Sequence, residues 1–168
     1  MLVVLRHLAA ILLLPFVVVA VVPHWLLTSW SGDTRWGNAS PLEWLPRSLG
    51  IALFLCGLAL FGWCVSLFAR VGRGTLAPWD PTQKLVAVGP YRFVRNPMIS
   101  GVVAMLTGEA LFWGSRMVGL WAAVFVLINQ IYFLILEEPG LERRFGESYR
   151  TYKATVPRWI PRLKPWAG

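Results

Sequence analysis

Apolar and polar positions alternate along this chain in long blocks, not residue by residue. Residues 8–27, 49–69, 98–113 and 118–136 are almost wholly apolar, and the connections between them, with the segment after 136, carry nearly all the charge. A helix needs about 20 apolar residues, with a range of about 17–25, to cross a bilayer. The first, second and fourth blocks reach that length and the third falls just short. The last two are parted only by Trp113-Gly114-Ser115-Arg116, so they form an antiparallel helical hairpin. After Leu136 the pattern changes. Leu141, Phe145, Tyr149, Tyr152 and Val156 recur at helical spacing and predict one amphipathic helix lying over the end of the hairpin. Pro157, Pro161 and Pro165 end it. In residues 70–96, Gly72, Gly74, Pro78, Pro81, Gly89 and Pro90 interrupt every helical run. A loop that long inside a compact protein is a binding loop.

The pattern therefore predicts an all-α integral membrane protein with about four transmembrane helices, including the C-terminal helical hairpin. A cytoplasmic loop and an amphipathic C-terminal helix complete it. It reads as a single domain, with the first two spans in 1–69, the loop in 70–96, the hairpin in 97–136 and the tail in 137–168. Composition agrees: 57% of residues are hydrophobic and 14% charged, against about 45–50% and about 25% in soluble domains. The first apolar block runs on to Trp25 without a small-x-small cleavage site, so a retained helix is expected in place of a signal peptide. In the 28–48 connection, Trp30, Trp36 and Trp44, with Trp25 before them, read as interfacial anchors.

The net charge of +8 invites a nucleic-acid reading, and the placement of the cations removes it. Thirteen of the 16 Lys and Arg lie before the first block, in 70–96 or in the tail, and three (Arg35, Arg47, Arg116) lie on the other side. Topology and anionic headgroups account for such a bias, which puts both termini and the loop on the cytoplasmic face. A bacterial inner membrane is the expected location, with membrane lipids as partners. Cys56 and Cys64, eight residues apart on one helix, are about 12 Å apart along its axis and cannot bond each other. They read as small packing residues, with no metal-ligand spacing around them.

Two polar clusters bracket the hairpin. Gly89-Pro90-Tyr91-Arg92-Phe93-Val94-Arg95-Asn96-Pro97 opens it, and Glu137-Glu138 closes it. Pro97 is 17 residues from Gly114 and Glu137 is 23, which puts them within roughly 10 Å in depth. Asn96-Pro97 is a helix start: Asn suits the N-cap and Pro the first turn. Such a start also offers free N–H groups and the positive end of the helix dipole to an anion, with Arg92 and Arg95 beside it. Glu137 is placed to bind a cation or take a proton. Glu138 is expected to be a solvated helix end, and Glu109 an interfacial residue paired with Arg116.

Gly89-Pro90-Tyr91-Arg92-x-x-Arg95-Asn96-Pro97-x-x-x-Gly101 is followed by Glu137-Glu138-x-x-Leu141-x-x-x-Phe145-Gly146-x-x-Tyr149-x-x-Tyr152-x-x-x-Val156-Pro157. Together they resemble the isoprenylcysteine carboxyl methyltransferases and the related phospholipid N-methyltransferases, over about half the chain. The resemblance implies S-adenosylmethionine as methyl donor and a lipophilic acceptor that enters from the bilayer. It assigns the cofactor pocket to Lys84, Leu85, Val86, Tyr91, Arg95, Asn96, Pro97, Met98 and Ile99, and sets Glu137 towards the acceptor as the catalytic residue. The chain departs from the family where His-Pro-x-Tyr is usual and Asn96-Pro97-Met98-Ile99 stands. It also has Phe133 where carboxyl methyltransferases place a carboxylate-binding Arg. An isoprenylcysteine carboxylate is therefore not the expected acceptor, and a lipid-like amine, thiol, hydroxyl or acid stays open. Two competing readings are an NADPH-dependent enzyme of the sterol-reductase type and a non-catalytic membrane protein with a degenerate cofactor site.

Overall fold

The computed structural model describes residues 12–34, 41–72 and 84–167. Arg6, His7, Arg35, Trp36, Arg73 and the loop positions 73–83 lie outside the described residues. Helix α1 begins with π-type turns (Leu12–Val21) around Pro15, which has no N–H to donate, and continues as α-helix (Val22–Ser29). Helix α2 (Pro41–Leu67) opens on a proline and widens into π-type turns at Phe68–Gly72. It starts earlier than the apolar pattern indicates, so the connection expected over 28–48 is shorter.

The hairpin is α3 (Pro97–Trp113) and α4 (Arg116–Tyr132). Gly114 supplies the left-handed backbone that reverses the chain (φ 63°). Asp33, from a short 3₁₀ turn (Ser31–Asp33), braces the start of α4: its Oδ2 accepts from Ser115 Oγ at 2.5 Å and from Met117 N at 2.9 Å. Helix α4 passes through π-type turns (Phe133–Glu137) straight into α5 (Glu138–Phe145). The tail expected as one helix is two, because Gly146 (φ 56°) breaks it before α6 (Glu147–Thr155).

No strand forms among the described residues. Glu43–Val71 and Arg116–Phe145 are long and apolar enough to cross a membrane, and Pro15–Ser29 and Pro97–Trp113 are shorter apolar helices. The two long helices keep an apolar exterior: Leu45, Leu55 and Leu58 on α2, and Leu120, Leu127, Ile131 and Ile135 along α4, are exposed. An outer face of that kind suits a bilayer, not water.

Helices α2 and α3 cross through four glycines. Gly50 and Gly57 are seven residues apart, two helical turns, and so are Gly101 and Gly108, so each pair lies on one face. Antiparallel packing sets Gly50 against Gly108 and Gly57 against Gly101. A Cβ placed on Gly108 would stand 2.5 Å from Gly50 O and 2.8 Å from Phe54 N. Small residues allow this backbone approach, which supplies the van der Waals packing that associates helices in lipid. Around the crossing sits the core: Phe61 and Cys64 from α2, Met98, Val102, Met105 and Leu106 from α3, and Val86 and Tyr91 from the loop. A second cluster, Tyr149, Tyr152 and Val156 with Leu85, Ala87, Leu141 and Phe145, seats the tail on the loop.

Candidate active site

Tyr91 is set by the 3₁₀ turn Gly89–Arg92, whose Gly89 (φ 58°) lies in the left-handed region. Its ring stacks on Phe68 (centroids 5.7 Å, 22° between planes), and its carbonyl accepts from Tyr152 Oη at 2.7 Å. Burial, and then the neighbouring Cys64 thiol that shares a hydrogen bond with it, push the Tyr91 phenol well above its ordinary pKa. It stays neutral and polar at any working pH.

Asn96 occupies the N-cap position of α3 but makes no side-chain cap hydrogen bond; only its carbonyl is used, accepting from Ser100 N and Ser100 Oγ, each at 3.0 Å. The capping role expected of its amide is not what the fold uses it for, and the side chain lines a cavity instead.

The two polar clusters do meet. Arg95 Nη1 donates to Glu138 Oε1 at 2.9 Å. Glu138, expected to be solvated, is 5% exposed. It gathers three cations: Arg95, Arg158 (Nη2 to Oε1, 2.7 Å) and Lys153 (Nζ to Oε2, 3.1 Å). A solvated acid needs no such company. Glu138 is buried because α5 continues from α4 without a break and the tail folds back over it. Arg95 Nε is also buried, and it has no hydrogen-bond partner among the described residues. At the other end of α3, Glu109 Oε2 is likewise buried without a partner among them, so the expected pairing with Arg116 is not formed there.

A cavity of about 390 Å³ opens beside this cluster. Tyr91, Arg95, Asn96, Met98, Ile99 and Glu137 line it at its polar end. Its walls are Phe61 and Phe68 from α2, Val102 from α3, Phe125, Asn129, Tyr132 and Phe133 from α4, and Pro15 and Val18 from α1. Along α4 these positions would drift round a regular helix. The π-type turns at Phe133–Glu137 hold Glu137 on the same face as Phe125, Asn129 and Phe133, a known use of such turns at sites.

Six of the ten residues named from the sequence therefore share this cavity. Pro97 is buried beneath it, Val86 belongs to the main core, Leu85 packs with the tail cluster, and Lys84 is exposed. The sequence reading missed the aromatic wall of α2 and α4. Aromatics in an apolar run look the same whether they face lipid or a cavity. Asn129 carried a signal, as an amide inside a membrane-length apolar helix.

The arrangement is a helical membrane protein with an aromatic cavity, cationic and carboxylate groups at one end, and a clasping tail. Residues 45–148 match the phospholipid methyltransferase family, and the chain belongs to that family. It is 33% identical over 160 residues to a methanethiol S-methyltransferase of Pseudomonas deceptionensis, covering 88% of this chain and 56% of that protein. It is also 32% identical over 76 residues to methanethiol S-methyltransferase 2 of Bradyrhizobium diazoefficiens, covering 44% of this chain and 27% of that protein. An uncharacterised protein of Haemophilus influenzae matches over its full length, 63 residues, at 32% identity. The chain thus spans about half the length of the first methyltransferase it resembles. No solved structure matches it.

Proposed function

We propose that this protein transfers a methyl group from S-adenosylmethionine to a small apolar acceptor with a neutral nucleophile, of which a thiol is the leading case. The observation that carries this is the composition of the cavity. An orphaned Arg95 Nε and the start of α3 at Asn96 suit a carboxylate. The aromatic rings of Phe61, Phe68, Tyr91 and Phe133 suit a sulfonium and an ammonium. The cofactor supplies an electrophilic methyl group. Arg95, Asn96 and Met98 would hold it, and the apolar walls keep water from the reacting centre. Glu137 is the group available to take the proton that a neutral nucleophile releases. Phe133, buried against Trp159 (centroids 5.7 Å), leaves no cation for an acceptor carboxylate at that position. The thiol reading draws further support from the names of the two similar methyltransferases.

Purified protein in detergent is expected to gain several degrees of thermal stability from S-adenosylhomocysteine and none from NADPH, since a ligand that binds only the folded state stabilises it by mass action. A response to NADPH alone would refute the proposal, and a response to neither would favour a degenerate site. Incubation with labelled cofactor and a series of short alkanethiols then tests the acceptor.

Asn96→Ala separates a cap from a site residue. Loss of a working cap costs about 1 kcal/mol of stability. Because the Asn96 amide makes no cap bond, the variant is expected to unfold within about 0.5 kcal/mol of the parent. Its affinity for S-adenosylhomocysteine is expected to fall about tenfold, the weight of a lost hydrogen bond. Calorimetry on both quantities decides between the two roles.

A further inference from the structure

Residues 157–166 leave the end of α6 and return as an extended strap along the loop before α3. Arg95 N–H donates to Pro157 O at 2.9 Å, Arg162 N–H to Phe93 O at 3.0 Å, and Trp166 N–H to Arg92 O at 2.9 Å. Arg92 Nε donates in turn to Trp166 O at 2.6 Å. Between these ties Trp159 packs on Phe133, and its Nε1–H donates to Gln130 Oε1 at 2.8 Å. Gln130 and Phe133 stand among Ile131, Leu134 and Ile135, which form the exposed apolar exterior of the long α4–α5 helix. The strap is therefore pressed against the flank of a membrane-length helix, roughly one to two turns before Glu137.

What these ties leave outside is apolar and basic. Ile160 is 79% exposed and Leu163 is 99% exposed. Arg162, whose Nη1 reaches only Thr155 O at 3.4 Å among the described residues, and exposed Lys164 flank Leu163. Pro161 and Pro165 stiffen the backbone between them. A leucine with its whole side chain open, held at the edge of an apolar belt and set between two cations, matches the way interfacial segments meet anionic lipid.

We propose that residues 160–164 dock on an anionic lipid headgroup surface. Ile160 and Leu163 enter the headgroup–acyl boundary, and Arg162 and Lys164 meet lipid phosphates. The contact reaches the cavity mechanically. The strap holds the backbone of Arg95 through Pro157, and Arg158 shares Glu138 with the Arg95 guanidinium. Seating the strap on lipid stiffens that wall, whatever the cavity binds.

The test places bimane on Leu163→Cys in a Cys56→Ala background, since Cys56 is exposed and Cys64 is fully buried. The full chain is reconstituted in nanodiscs of phosphatidylcholine, with or without phosphatidylglycerol. In the anionic discs a lipid-attached nitroxide is expected to quench the label more than aqueous iodide does. Removing phosphatidylglycerol, raising the salt, or combining Arg162→Ser with Lys164→Ser is expected to reduce that quenching several-fold, since each basic residue contributes about fivefold to partitioning. Equal access to iodide in both discs overturns the proposal, as does quenching indifferent to lipid charge. Protection from iodide in neutral discs on adding inorganic phosphate would mark a free-anion site and also overturn it. Should Leu163→Cys misfold, Ile160→Cys carries the label with the same outcomes.

Discussion

Glu137→Gln is expected to reduce methyl transfer by about 10²–10⁴-fold, the usual weight of a positioned proton acceptor, while S-adenosylhomocysteine affinity stays within about threefold. Glutamine keeps the volume and most of the hydrogen bonding of the side chain and removes only its charge and basicity. Glu137 faces the cavity from the π-type turns that also present Phe133, so an isosteric change leaves the wall intact. Stability should not suffer, because the structural carboxylate is its neighbour. Glu138, not Glu137, holds Arg95, Lys153 and Arg158. Single-turnover kinetics with a short alkanethiol, set beside calorimetric titration of S-adenosylhomocysteine, gives both numbers. A collapse of cofactor affinity would assign Glu137 to holding the donor's ammonium instead.

The second large effect concerns the helix crossing. Gly108→Ala is expected to destabilise the protein by about 1–3 kcal/mol, the usual cost of overpacking a tight contact. The atoms its Cβ would meet, Gly50 O and Phe54 N, are backbone and cannot swing aside. Gly57→Ala should behave alike, since its Cβ would stand 2.5 Å from Gly101 O. Gly62 is the internal control. It lies on the same helix as Gly57 but meets nothing within 4 Å, so Gly62→Ala should be neutral or slightly stabilising. Thermal unfolding of the three variants in one detergent reads the contrast. Equal shifts in all three would mean that glycine content, not the crossing, sets the stability.

Much of this was legible before any coordinates. A short turn at Gly114 forces α3 and α4 antiparallel, and chain counting from it brings Arg95 to the level of Glu137 and Glu138. The 2.9 Å Arg95–Glu138 contact is that arithmetic realised. Residue roles within the bracket were less legible, because solvation is a tertiary quantity. Glu138 at the end of an apolar run looks wet in sequence. It is buried because the chain runs on as helix through Glu137 and the tail returns over it. Asn96 before Pro97 satisfies every rule for a cap, yet a side chain that can cap can equally face a cavity.

By itself the sequence determined the all-helical membrane character, the hairpin and the end of it at which the polar clusters gather, since length, apolar periodicity and turn chemistry are local and additive along the chain. Only the tertiary structure decided which aromatics wall the cavity, which of two adjacent glutamates holds the fold and which faces the site, and that four glycines bring two backbones together. Those outcomes depend on which helix faces come into contact. In an apolar run nearly every face is equally fit for lipid or for protein, so local pattern cannot choose between them.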